Sequence, residues 1–250
     1  MPVVEPGKRI VVLIPTYNER ENIETLVQDV LNLSLPADLL VLVVDDNSPD
    51  GTGELLQDMA KKEPRLKVLI RRERRGRGAA GIHGFKEALR LGADYIIEMD
   101  GNLSHSPSFI PLLLENARQF DVVIGSRFVP GGQDTERSLT RRFITLLVRN
   151  FVRFFFHLPV RDVSSGFRCF KRCALEEVGL DDLISVGPSL VLEILYKIFL
   201  GGFSIGEVPI VFTDRKKGKT KLTPFVLLET LFMVVKFKRR YSGSRRRMAR

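Results

Sequence analysis

The sequence predicts an α/β fold built on a mostly parallel sheet, and three observations carry that prediction. Short apolar runs alternate with amphipathic stretches through the first half of the chain, which is the pattern of βαβ units. Every cluster of carboxylates, amides and small residues follows the end of an expected strand, where open parallel sheets bind their ligands. No uncharged run is long enough for a bilayer span: the longest, residues 101–114, has 14 residues and two prolines, against about 20 largely apolar residues for a spanning helix. A chain of 250 residues that is 44% hydrophobic and 28% charged can bury one substantial core, and it is neither collagen-like, coiled-coil nor disordered.

The elements follow in order. Residues 10–14 form a run of β-branched and leucine side chains closed by Pro15, a buried first strand. Across 21–33, Ile23, Leu26, Val27, Val30 and Leu31 recur at helical spacing, and Asn18 or Glu19 is placed to cap the exposed amides. A strand over 39–44, a helix over 52–62, a strand over 66–70 and a helix over 79–91 continue the alternation, and a strand over 95–99 ends on Asp100. Pro107 suits the first turn of a helix running to Arg118, and residues 122–124 form a further strand. Past Gly125 the pattern changes. Residues 140–158 are apolar but interrupted by Arg141, Arg142, Arg149 and Arg153, with Phe151, Phe154, Phe155 and Phe156 interleaved. A helix lying in a membrane interface and a core helix with outward-snorkelling arginines fit this composition equally. Residues 224–237 repeat the theme through Phe225, Val226, Leu228, Leu231, Phe232 and Val235. With no linker rich in Gly, Ser or Pro and no internal repeat, the expected organisation is one body, residues 1–222, followed by an amphipathic helix and tail, residues 223–250.

Charge is concentrated at the end of the chain. Nearly all of the net +9 comes from residues 236–250, which hold Lys236, Lys238, Arg239, Arg240, Arg245, Arg246, Arg247 and Arg250 and no acid. Such a tail suits an anionic surface, either nucleic acid or the cytoplasmic face of a membrane; no nucleic-acid-binding motif accompanies it. The first seven residues lack the basic segment and apolar run of a secretory signal, so an intracellular location is expected. Cys169 and Cys173 are too few for a structural zinc site and read as reduced thiols.

Three motifs carry chemistry. The segment from Asp45 to Gly51 places Asp45, Asp46 and Asp50 on one turn after a strand. An Asx turn accounts for Asp50 and Ser48, whereas two adjacent carboxylates repel unless something binds them, which favours a ligand site. The run from Arg71 to Gly81 contains Gly76, Gly78 and Gly81 in a GxGxxG pattern, with Asp100 farther on. In a dinucleotide fingerprint these glycines would follow the first strand directly, so the cation-rich loop reads as a phosphate site and not as an NAD site. Asp100-Gly101-Asn102 ends another strand and offers two oxygen ligands for Mg²⁺ or Mn²⁺ against a diphosphate, while the lone His105 reads as a loop residue.

The ordered set PTYNE (15–19), DDNSPDGT (45–52), MDGNLSH (99–105), GSR (125–127), SSGFR (164–168) and DRKKGKTKL (214–222) resembles the dolichyl-phosphate, or polyprenyl-phosphate, mannose synthases. These are family-two glycosyltransferases with a GT-A fold, and the resemblance covers about residues 9–222. It implies a GT-A, Rossmann-like nucleotide-binding domain that transfers mannose from GDP-mannose to a dolichyl or polyprenyl phosphate with inversion, peripherally at the cytoplasmic face of a membrane. It implies donor contacts from Pro15, Tyr17, Glu19, Val44, Asp46, Asp100, Gly101, Arg215 and Lys221, and acceptor-phosphate contacts from Arg127, Arg141 and Thr145. Asp100 and Arg127 would be catalytic, and Asp100 with Asn102 would hold Mg²⁺ or Mn²⁺. Members without spans of their own often depend on a small membrane-anchoring subunit. The family usually carries DAD where this chain has Asp100-Gly101-Asn102. A neutral amide oxygen in place of a carboxylate lowers metal affinity, which leaves a second reading: a sugar-nucleotide-binding or scaffold protein that has lost catalysis.

Overall fold

The computed structural model describes residues 5, 7–72, 76–135, 139–185, 187–213 and 224–241. Its centre is a seven-stranded sheet in the order β3-β2-β1-β4-β7-β5-β8. The first half alternates as the apolar pattern requires: β1 (Arg9–Thr16), α1 (Arg20–Leu31), β2 (Asp38–Asp45), α2 (Thr52–Ala60), β3 (Leu66–Ile70), α3 (Arg77–Arg90) and β4 (Tyr95–Glu98). After β4 come α4 (Ile110–Asn116), β5 (Val122–Ser126), β6 (Gln133–Thr135), α5 (Leu139–Phe156), β7 (Arg168–Lys171), α6 (Arg172–Val178), α7 (Leu190–Leu200), β8 (Ile205–Pro209), β9 (Val211–Thr213) and α8 (Pro224–Tyr241). β6 and β9 form a separate parallel pair.

Side-chain alternation along β1 divides the interior into two layers, as a period of two dictates. Val11 and Leu13 face the layer containing Phe85 of α3, Phe156 of α5, Leu195 of α7 and Phe237 of α8. Ile10, Val12 and Ile14 face the layer containing Ile23 and Leu26 of α1, Leu56 of α2 and Leu113 of α4. All of the β1 side chains from Ile10 to Ile14 are fully buried, the condition of a parallel strand covered on both faces.

Strand direction locates the crevice. β1 pairs in parallel with β2 on one side and with β4 on the other, and β2 continues to β3. The order therefore reverses between β1 and β4, and ligands of open α/β sheets bind beyond the strand ends at such a switch point. β7 is antiparallel to both β4 and β5, with Glu98 opposite Arg168 and Ile124 opposite Arg168. Its start thus lies beside the ends of its two neighbours.

Two expectations need adjustment. The helix expected from Pro107 to Arg118 is a 3₁₀ turn over Pro107–Phe109 followed by α4. Pro111 lacks the amide that would continue the α-helical ladder from Pro107, which accounts for the break. β7, β8, β6 and β9 were not anticipated, because each has at most five residues and β7 begins and ends on a cation.

α8 is docked on the body by one face. Val234, Phe237 and Tyr241 are buried, and the Phe237 ring lies against Phe156 at 5.4 Å and 9°. The Tyr241 hydroxyl donates to Glu193 Oε1 at 2.6 Å, and Glu193 also accepts from the Ile184 and Ser185 amides at 3.0 and 2.8 Å. Burial and the facing carboxylate raise the Tyr241 pKa well above that of a free phenol, so the hydroxyl keeps its proton. Tyr241→Phe removes a hydrogen bond to a charged, fully buried acceptor and is expected to cost about 1.5–3 kcal/mol, read as a lower urea midpoint with unchanged slope.

Candidate active site

The loops after β1 and β2 are tied together before any ligand arrives. Asn18 and Asn47 take positive φ, 56° and 51°, a conformation asparagine tolerates better than most residues. Asp45 Oδ1 accepts from Thr16 Oγ1 at 2.9 Å and from Ser48 Oγ at 2.5 Å, and Oδ2 accepts from the Ser48 amide at 2.8 Å. Ser48 Oγ in turn accepts from the Asn18 amide, Thr52 Oγ1 from the Glu19 amide, and Asp50 Oδ2 from the Arg20 amide. The Arg20 amide that opens α1 is therefore met by Asp50 of the neighbouring loop, whereas Glu19, at the N-cap expected from the sequence, makes no side-chain capping bond.

This divides the acidic turn in a way that its sequence does not reveal. Asp45 is fully buried and held by neighbours of its own fold, so for it the turn-building role wins over the ligand role. Asp46 differs. Its Oδ1 accepts from Arg71 Nη1 and its Oδ2 from the Gly76 amide at 2.8 Å. Around it, Pro15 and Tyr17 are half-buried, and Glu19 is buried with Oε2 accepting from Asn22 Nδ2 at 3.0 Å. Val44 is wholly buried in the core, opposite Pro15 across the β1–β2 pair.

The turn after β4 meets the same loop. Asp100 Oδ1 accepts from Arg77 Nη2 at 2.5 Å. Gly76 and Arg77 are consecutive, so one short segment holds Asp46 with its backbone and Asp100 with its side chain. Both carboxylates thus bond to the same two-residue segment. Gly101 lies directly on β1: a Cβ there would stand 2.9 Å from Thr16 Cγ2. Asn102 Oδ1 accepts from the Ser104 amide at 3.0 Å in an Asx turn, and Leu103 at φ 61° completes the bend.

His105 positions this turn. Its Nδ1 accepts from the Asp100 amide at 3.2 Å, and its ring stacks on Phe167 at 5.0 Å and meets Phe212 edge-on at 5.5 Å. Burial pushes its pKa down to about 4, so the ring is neutral and Nδ1 keeps the lone pair that Asp100 needs. It lies in a loop, as its sequence context indicates, but Phe167 and Phe212 from far along the chain enclose it.

The other wall is an ion pair. Arg127, just past β5, is buried and forks onto Asp162, with Nε and Nη2 each donating at 2.8 Å. Nη2 also reaches Ser164 Oγ at 2.8 Å, and the Arg127 amide adds a bond to Asp162 Oδ2 at 3.1 Å. Burial disfavours the Asp162 charge, yet the guanidinium and amides outweigh it and hold the carboxyl below the usual carboxylate range. Asp162 had no signal of its own in the sequence beyond its place two residues before SSGFR. Gly166 of that motif closes over the crevice, where a Cβ would stand 2.5 Å from Arg77 Nη2 and 3.4 Å from Asp100 Oδ1. Beneath, Arg168 spends its guanidinium on the carbonyls of Ser165, Val191 and Val163.

Arg215 and Lys221 lie outside the described residues, and Arg141 and Thr145 lie on α5 with side chains outside the described set. Among the described residues no group of three or more His, Cys, Asp or Glu side chains could enclose a metal. Asp100 and Asn102 are hard oxygen donors that fit Mg²⁺ or Mn²⁺ only as a partial set, to be completed by substrate oxygens and water.

Comparison with known proteins names the arrangement. The model of glycosyl transferase family 2 matches residues 11–179, which takes in both strand-end acidic turns and the SSGFR loop. The chain belongs to glycosyl transferase family 2. Within that family it is 36% identical over 236 residues to the polyprenol monophosphomannose synthase of Mycolicibacterium smegmatis, covering 94% of this chain and 88% of the relative. It is 35% identical over 242 residues to the undecaprenyl-phosphate mannosyltransferase of Micrococcus luteus, covering 96% and 99%. The chain is thus a family-two glycosyltransferase of the polyprenyl-phosphate mannosyltransferase group.

Solved structures agree on the GT-A fold. The mannosyltransferase PcManGT from Pyrobaculum calidifontis, in complex with GDP-Man and Mn²⁺, superposes with a TM-score of 0.57 at 22% identity, over 86% of this chain and 60% of that one. Glucosyl-3-phosphoglycerate synthase from Mycobacterium tuberculosis, with Mn²⁺, UDP and phosphoglyceric acid, gives 0.66 at 18% identity over 91% and 78%.

The neutral His105 makes stability pH-dependent. Its pKa is about 4 folded and near 6.5 unfolded, so between these values the unfolded chain binds the extra proton. In metal-free buffer the contribution is complete above about pH 6.5 and is lost as pH falls towards 4. It amounts to a few kcal/mol at most. His105→Phe is expected to flatten that part of the stability–pH curve measured by urea unfolding, and to cost about 1–3 kcal/mol at pH 7 by orphaning the Asp100 amide.

Proposed function

We propose that the chain transfers mannose from GDP-mannose to a polyprenyl phosphate, with inversion at the anomeric carbon. The observation that carries this reading is the convergence of Asp46 and Asp100 on Gly76 and Arg77 at the β1/β4 switch point. The relatives' names supply the sugar and the acceptor class, and the GDP-Man bound to the Pyrobaculum enzyme supplies the donor. Pro15, Tyr17, Glu19 and Asp46 line the nucleotide end with Val44 behind them in the core, and Asp100, Gly101, Arg215 and Lys221 serve the diphosphate. Arg127, Arg141 and Thr145 receive the acceptor phosphate.

The chemistry asks little of a general base. A lipid monophosphate has a second ionisation near pH 6, so it arrives as a competent nucleophile. The protein must align one of its oxygens behind the anomeric carbon and stabilise the departing diphosphate. Arg127 is immobilised by Asp162 and cannot swing away, so the phosphate meets a prefixed cation. Asp100 and Asn102 would hold a divalent cation, for which we favour Mn²⁺ over Mg²⁺ because the neighbours bind Mn²⁺. When bound, it adds positive charge to the diphosphate oxygens.

A catalytically dead binding protein is not favoured, because the named relatives are enzymes across nearly the whole chain. Purified protein incubated with labelled GDP-mannose, polyprenyl phosphate and Mn²⁺, with no other polypeptide, is expected to move label into the organic phase. Asn102→Asp should retain or raise the rate, and Asp100→Asn should lower it about 100-fold or more. Label that never reaches lipid, with any nucleotide sugar, would sink the reading. A requirement for an added membrane subunit would show as activity only in its presence.

Acceptor access gives the second part of the proposal: peripheral attachment at the cytoplasmic leaflet. None of the described helices is long and apolar enough to cross a membrane. α5 instead presents Leu147, Phe151 and Phe154 at i, i+4 and i+7, with Phe154 80% exposed, and α8 presents Phe232 at 69%. Exposed aromatics, together with the eight Lys and Arg residues of the 236–250 sequence, suit an anionic interface, where each cation contributes about 1 kcal/mol. Removal of residues 238–250, or Phe154→Ser with Phe232→Ser, is expected to reduce co-sedimentation with anionic liposomes at least tenfold. Unchanged binding by both variants would discard the membrane surface.

A further inference from the structure

The cation-rich glycine loop before α3 has a role that the donor and acceptor contacts above leave unassigned. Arg77 donates to Asp100 through Nη2, and its side chain is still 37% exposed. Gly166 leaves room for it on the opposite side, since a Cβ there would stand 2.5 Å from Nη2. Asn102 supplies no charge of its own, and at this strand end Arg77 balances the single negative charge of Asp100.

We propose that Arg77 is a diphosphate-binding residue of this chain, sharing with the divalent cation the task of neutralising the leaving group. The proposal rests on the donor reading above and adds a residue to it. A guanidinium presents forked N–H groups that suit phosphate oxygens, and it remains charged at any working pH. Its contact with Asp100 serves two ends: it aims the fork into the crevice, and it competes with the metal for the same carboxylate. Nucleoside diphosphates therefore bind this site without metal, and the metal binds it less tightly than a free Asp100 would allow.

The test is titration calorimetry of the full chain with GDP, and separately with inorganic pyrophosphate, in excess EDTA. Wild type is expected to bind both. Arg77→Met should weaken each by about tenfold or more, Arg77→Lys should retain part of the affinity, and Gly166→Ala should weaken binding by displacing the guanidinium without removing it. Mn²⁺ titration followed by electron paramagnetic resonance should show tighter metal binding in Arg77→Met than in wild type. Equal EDTA affinities for wild type and both Arg77 variants, with matching circular dichroism, would overturn the proposal, as would absence of metal-free GDP binding by wild type. Neither result would touch the mannosyl-transfer reading, which stands or falls on label reaching lipid. Should Arg77→Met fail to fold, Arg77→Lys and Gly166→Ala decide.

Discussion

Like charges gathered at one sheet edge must be held apart or neutralised, and the site of this protein is built around that constraint. Asp46 and Asp100 follow the strands on either side of β1, and the Gly76–Arg77 segment binds one through a backbone amide and the other through a guanidinium. Asp162 repeats the solution with Arg127, in a more deeply buried setting. Each carboxylate facing the crevice is thus satisfied before substrate binds. Unpaired, they would incur a desolvation cost that a chain of this size could ill afford.

The same economy explains which side chains do not serve ligands. Asp45 and Asp46 are indistinguishable as adjacent acids in sequence, yet their side chains reach different surroundings at the end of β2. One accepts from Thr16 and Ser48 and fixes the loops; the other turns towards Arg71. His105 is comparable. Its stack on Phe167 and its bridge to Phe212 come from residues far along the chain, so no local pattern could indicate that it would be buried and neutral.

What was legible in the sequence was the part governed by local periodicity. The strands from Ile10 to Asp100, the helices between them and the convergence of strand-end motifs follow from apolar spacing and from the rule for parallel sheets. The second half was less legible for physical reasons. β7 has four residues and owes its strand state to pairing with β4 and β5 rather than to its own composition. The two aromatic helices were ambiguous because each does two things: Phe156 and Phe237 fill the core while Phe154 and Phe232 face outward. Asp162 escaped notice because a lone acid in a loop has no spacing to betray it.

The reversed direction of β7 separates the two halves of the crevice in a way an all-parallel sheet would not. Because Arg168 opens the strand beside the closing residues of β4 and β5, the 162–167 loop enters the site from ahead of its strand, whereas the other walls trail behind theirs. That loop is braced from β8, where Glu207 accepts from the Arg161 and Asp162 amides. Because Gly166 of the same loop packs against Arg77 and Asp100, a change in its path reaches both walls of the crevice at once, even though the pairing of β1 with β2 and β4 keeps its register.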